Sequence, residues 1–114
     1  MPRINSINLK VVLYDSDFYA LQSINSYLAW DRRTRVMFMT CQLSELWDYL
    51  SDAPLAELPD VIIMDADHFG GPDGLKSMVK RLRQYAPDVH IFCMVQSVDL
   101  ALIEAAADSG VRAV

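Results

Sequence analysis

The chain is poor in glycine and cysteine, short of positive charge, and without a long apolar run. Its four glycines, Gly70, Gly71, Gly74 and Gly110, form neither a G-x-G-x-x-G nor a Walker arrangement, so no nucleotide-phosphate cradle is expected. Cys41 and Cys93 stand apart in apolar runs without metal-ligand spacing. That argues against a zinc site or a disulfide framework and predicts two buried, reduced packing residues. Ten Lys and Arg against fifteen Asp and Glu leave a net charge of −5. A phosphate backbone needs a basic face, so direct nucleic-acid binding by this domain is not expected. The one dense basic cluster, Arg32, Arg33 and Arg35, falls between a helix and a strand and reads as a solvated turn. No apolar run approaches a membrane span, and Met1–Ser6 lacks the apolar core of a secretion signal. The expectation is a cytoplasmic protein with no membrane partner.

What is present is enough for one core. At 114 residues, with 53% apolar and 22% charged residues, the chain reads as a single globular domain and not a disordered one. The most informative stretch is Asp60–Asp67, in which Val61, Ile62, Ile63 and Met64 run into Asp65 and Asp67. Four apolar residues between Pro59 and the Gly70–Pro72 turn read as a short strand buried on both faces. Leu9–Tyr14 reads as another strand and ends in Asp15, Ser16 and Asp17. Open α/β sheets hold their ligands at the carboxyl ends of strands. Asp65 and Asp15 are therefore the candidate functional acids, with Asp17 better suited to capping the next helix.

Elsewhere the periodicity alternates. A helix is expected near Phe18–Ala29, with Ala20, Ile24 and Leu28 on one face, then a strand at Val36–Thr40. Leu43, Leu46, Trp47 and Leu50 give an amphipathic helix, ended by a loop at Ser51–Pro59. Beyond the Gly71–Gly74 turn, Leu75, Met78, Val79 and Leu82 repeat the helical spacing, and His90–Val95 reads as the fourth strand. Ser97 or Asp99 caps a last helix that Gly110 terminates. Leu100–Asp108 has little polar face, which predicts either deep cover or an interaction surface. Val111–Val114 looks like the approach to a fifth strand, so the chain reads as a fragment of a longer protein. Strand–helix alternation of this kind defines a doubly wound α/β domain with a parallel sheet.

The order of elements, with Leu13–Asp17, Asp60–Asp65 and Ala105–Val111, resembles the receiver domain of two-component response regulators over Leu9–Val114. The resemblance implies a flavodoxin-like sheet of order 2-1-3-4, its fifth strand partial or missing, with any output domain outside residues 1–114. It implies that Asp65 accepts a phosphoryl group from a sensor histidine kinase or phosphotransfer protein. It also implies Mg²⁺ held by Asp15 and Asp65, with Asp67 contributing its backbone carbonyl. Three positions depart from that pattern. Ser16 replaces the second acid, Val95 replaces the switch Ser or Thr, and Phe69 replaces a proline. The expected partners are an output domain or second receiver meeting the helix near Leu100–Asp108, or a second copy forming a homodimer.

Three other readings accompany this one. A pseudo-receiver would keep the fold and partner surface and work without phosphate. Ile62–Asp67 also looks like the nucleophile motif of haloacid-dehalogenase-type phosphatases, although that motif belongs on a first strand. A flavodoxin-like cofactor carrier would need a phosphate loop where Asp15, Ser16 and Asp17 would repel the ligand. His68 has no Cys or His partner in sequence and reads as a surface loop residue.

Overall fold

Among the described residues four strands alternate with four α-helices: β1 (Leu9–Tyr14), α1 (Phe18–Leu28), β2 (Thr34–Thr40), α2 (Leu43–Asp52), β3 (Val61–Asp65), α3 (Pro72–Tyr85), β4 (His90–Met94) and α4 (Leu100–Asp108). The computed structural model describes residues 9–30, 33–95 and 99–112. All strands are parallel, in the order β2-β1-β3-β4. That order is the expected doubly wound arrangement.

The two faces of the sheet carry different loads. Val12, Ile62, Met64 and Ile91 point to the α2–α3–α4 side and pack with Leu46, Leu50, Leu75, Val79, Leu82 and Leu102 in the main core. Val11 and Leu13 point the other way and meet Leu21 of α1, with Ile24, Leu28, Val36, Met39, Val61 and Ile63 around them. The expectation that β3 is buried on both faces therefore holds for one face only. Ile62 and Met64 are fully covered, whereas Val61 and Ile63 are half-buried because α1 sits over β1 and β2.

Helix ends follow local chemistry. The Asp17 carboxylate accepts from the backbone N–H groups of Tyr19 (2.9 Å) and Ala20 (3.4 Å), capping α1 as expected. Asp99 caps α4 by accepting from Leu102 N–H, while Ser97, the other candidate, lies outside the described residues. Gly110 takes a φ of +82° just past α4, the left-handed conformation that ends many helices. Arg112 then donates its N–H to the Ile91 carbonyl at 2.7 Å, so the chain returns alongside β4 where a fifth strand was expected. Val114 lies outside the described residues.

Several local expectations need correction. The Ser51–Pro59 loop is partly helical: α2 runs to Asp52, and Leu55–Glu57 forms a 3₁₀ turn. Pro72, Asp73 and Gly74 make the first turn of α3 and not a loop, Pro being suited to a helix start where its missing N–H costs nothing. Arg35 belongs to β2, while Arg32 lies outside the described residues. Cys93 is buried as expected, but Cys41 is exposed, since it sits beyond the end of β2 in the turn to α2. The apolar helix α4 is covered on one side only, through Leu102, Ala105 and Ala106, and leaves Leu100 69% exposed.

Gly74 has a steric role. A Cβ built there would lie 1.5 Å from the Phe69 carbonyl oxygen, so any side chain displaces the loop that follows Asp65. Gly74→Ala should lower the urea midpoint and disturb the Asp65 contacts together. Leu46→Ala should cost about 2–5 kcal/mol in the same denaturation measurement, since Leu46 is fully buried in the main core. Leu100→Ala should stay within about 0.5 kcal/mol, as expected for an exposed position.

Candidate functional site

The strand register brings the acids together. Tyr14 pairs with Met64, and Asp65 pairs with Met94, so the residues following β1 and ending β3 emerge side by side at the carboxyl edge. Ala66 N–H bonds to the Met94 carbonyl at 2.8 Å and holds the next residue down. Asp65 is 4% exposed and Asp15 7% exposed. Both are buried, yet each carboxylate has partners.

Asp65 is held on both oxygens. Its Oδ2 accepts from the Ser16 backbone N–H at 2.9 Å and from Ser16 Oγ at 3.0 Å. Its Oδ1 lies 3.3 Å from His68 Nδ1, and that same nitrogen lies 3.2 Å from Ser16 Oγ. Ser16, Asp65 and His68 thus form a closed triangle. It is not a hydrolase relay, because one ring nitrogen faces both partners, whereas a relay uses the two nitrogens separately. The half-exposed His68 ring adds an ion pair to Asp65 only when protonated.

Asp15 has a different environment. Its Oδ1 accepts from Asp17 N–H at 2.8 Å, and the Asp65 carboxylate is near enough for its charge to bear on it. Burial raises its pKa above the usual 3.8; the Asp65 charge adds to the rise, while the Asp17 N–H opposes it. The Asp65 charge reaches further. Burial raises the Tyr14 hydroxyl pKa, with Asp65 the next cause, and burial pushes the Cys93 thiol up to about 11, again helped by Asp65. Negative charge is concentrated at this edge.

Asp67 follows in the loop after β3, half-buried, and engages in contacts of its own. Among the described residues, no three His, Cys, Asp or Glu side chains form a metal-ligand group. Val95 is half-buried and packs against the main core, so its side chain offers no hydroxyl at the site. Sequence reasoning gave Ser16 only the part of a missing acid and left His68 unpartnered. The one signal for His68 was its spacing of three residues from Asp65 in a tight turn.

No protein-family model matches the chain, and no curated protein does. Solved structures do. The isolated REC domain of RcsB from Salmonella enterica serovar Typhimurium, with the phosphomimetic BeF3⁻, superposes with a TM-score of 0.77 at 19% identity, covering 94% of this chain and 76% of that one. The signal receiver domain of NarL from Mycobacterium tuberculosis gives 0.71 at 16%, covering 94% and 82%. RcsB dimers bound to two parallel DNAs give 0.77 at 20%, with this chain spanning 52% of that one. The chain has the flavodoxin-like receiver fold, and the proteins that share it here are signalling domains.

That fold implies Mg²⁺, and the donor chemistry fits. Mg²⁺ takes hard oxygen ligands and is commonly held by one or two carboxylates with waters. Asp15 and Asp65 supply two adjacent, buried carboxylates.

The same shift predicts a pH dependence. A raised carboxyl pKa means that the folded state keeps a proton that the unfolded chain releases, so stability falls as pH rises from 3.8 through the raised value. Asp15→Asn should therefore raise the thermal midpoint at pH 7. The gain should vanish as pH falls below 3.8, and a gain that persists there would assign it to packing.

Proposed function

We propose that this chain is a receiver domain that accepts a phosphoryl group on Asp65 from a histidine kinase or phosphotransfer protein. The observation that carries the reading is the pair of buried carboxylates, Asp65 and Asp15, at the carboxyl edge of the central strands. In this chemistry an Asp65 oxygen attacks phosphorus, the P–N bond of a phosphohistidine breaks, and the imidazole leaves with its electron pair. Oδ1 is the oxygen more easily freed, since it has one partner at 3.3 Å whereas Oδ2 has two near 3 Å. Asp15 and Asp65 would hold Mg²⁺, which when bound offsets the repulsion between carboxylate and phosphoryl oxygens. Ser16 in the place of an acid leaves that pair one charge poorer than the receiver pattern. Output passes to an output domain or a second copy through the half-covered helix α4, whose Leu100, Ala101 and Ala107 are exposed.

A second reading, a pseudo-receiver that works without phosphate, has its own support. Both Asp65 oxygens are already engaged by Ser16 and His68, and Val95 supplies no hydroxyl to sense a phosphoryl group. The phosphatase reading gains nothing from the geometry, because Asp65 lies on the third strand and not the first.

Intact mass after incubation with acetyl phosphate, with and without Mg²⁺, separates the two. The expected result is a Mg²⁺-dependent phosphoryl adduct that is absent from a folded Asp65→Asn variant. A folded wild-type chain that takes no adduct, while a canonical-pattern receiver in the same buffer does, would favour the pseudo-receiver. Ser16→Asp restores the missing charge and should tighten Mg²⁺ binding about tenfold or more, read by the metal-induced rise in thermal midpoint.

A further inference from the structure

Away from the acidic edge, α2 and the outer strand β2 enclose a groove of about 470 Å³. Its wall is apolar. The rings of Phe38 from β2 and Tyr49 from α2 stack face to face, with centroids 4.7 Å apart and planes 6° apart. Its rim is acidic: Glu45, Asp48 and Asp52 from α2, and Glu57 from the 3₁₀ turn. Among the described residues none of these four is in an ion pair, and Glu45 has only the Thr40 hydroxyl as a hydrogen-bond partner. Arg35 is the cation whose charge reaches Tyr49, where it opposes Glu57.

This arrangement costs α2 stability. Glu45 and Asp48 are three residues apart and Asp48 and Asp52 four, spacings at which like charges repel along one helix face. Asp52 also lies in the last turn, at the negative end of the helix dipole, with no basic residue there. The internal packing of the fold does not require four carboxylates around an open aromatic wall. A cationic occupant would reverse every one of these penalties.

We infer that the α2–β2 groove docks an arginine-bearing basic segment of a partner protein. Charge complementarity selects a cation and argues against nucleic acid or an anionic lipid surface. The aromatic wall selects arginine over lysine, since a guanidinium both stacks on rings and pairs bidentately with carboxylates. The groove lies on the outer strand of the sheet, apart from Asp65, and this docking is independent of phosphoryl transfer.

The test is a fluorescence-anisotropy titration of the full chain with a fluorescein-labelled peptide of alternating arginine and glycine. Saturable binding is expected, several-fold weaker for the lysine version. The rim variant Asp48→Asn/Asp52→Asn/Glu57→Gln should lose about tenfold in affinity, the order expected for three exposed pairs. It should melt no lower than wild type, because it removes like-charge repulsion, so a loss of binding is not a loss of fold. The control Asp73→Asn/Asp88→Asn/Glu104→Gln makes the same charge change elsewhere and should bind within about twofold of wild type. Equal loss in both variants would reduce the effect to net charge and overturn the inference, as would no binding by wild type. Self-association in sedimentation that the rim variant abolishes would overturn it in favour of a second copy.

Discussion

The structure depends on the placement of β3 between β1 and β4. A strand hydrogen-bonded on both sides presents no free edge, and its Ile62 and Met64 anchor the main core. Asp60 fixes the start of this strand. Its Oδ2 accepts from Lys10 N–H at 2.9 Å, its N–H donates to the Lys10 carbonyl, and its own carbonyl accepts from His90 N–H. One acid thus ties three strands together at the amino edge. Five residues later the same strand delivers Asp65 to the opposite edge with its position set on both sides. The position of Asp65 is set by the sheet and not by the loop that follows it.

That placement creates an electrostatic problem that the neighbouring residues resolve in part. Two carboxylates lie side by side with little access to water, where their repulsion is poorly screened. Hydrogen bonds from Ser16 and the contact with His68 satisfy Asp65 without a full compensating charge. Asp15 carries the remainder as a raised proton affinity. The exchange of an acid for Ser16 therefore has two physical consequences. It leaves the edge one negative charge poorer, and it introduces a donor that engages Oδ2 of Asp65.

What was legible from residues alone was what depends on local order. The β1 limits, the Asp17 cap, the Gly110 stop and the apolar stripe of α2 are written in spacings of one to four residues. The 2-1-3-4 order followed from the receiver resemblance. The pairing of Asp15 with Asp65 was legible as well, because both close strands of one parallel sheet. The Ser16–Asp65–His68 triangle was not: it joins residues about fifty positions apart through rotamers and a turn, which leave no period in the sequence. Cys41 was misread for a related reason. Apolar neighbours in sequence predict burial only inside an element, and Cys41 falls one residue past the end of β2. Val61 and Ile63 show the same limit on a sheet face, where cover is decided by which strands the helix crosses.

Asp65 is joined to the end of β4 by direct backbone contacts. Asp65 pairs in register with Met94 at the end of β4, Ala66 bonds to the Met94 carbonyl, and Val95 follows directly. Beyond Val95 the chain passes to Asp99 and the cap of α4. In a switch that reads phosphate, a hydroxyl at the Val95 position would be drawn toward the new oxygens and would move this path. Val95 packs on the main core and carries no hydroxyl, while Ala66, next to Asp65, lies in the same core as Leu102 and Ala106 of α4. His68 is the one polar side chain of the loop after β3 shown to touch Asp65, and releasing it is the local change that freeing Oδ1 requires. His68 Nδ1 lies 3.3 Å from Asp65 Oδ1, so any group that takes up that oxygen would have to displace the imidazole first.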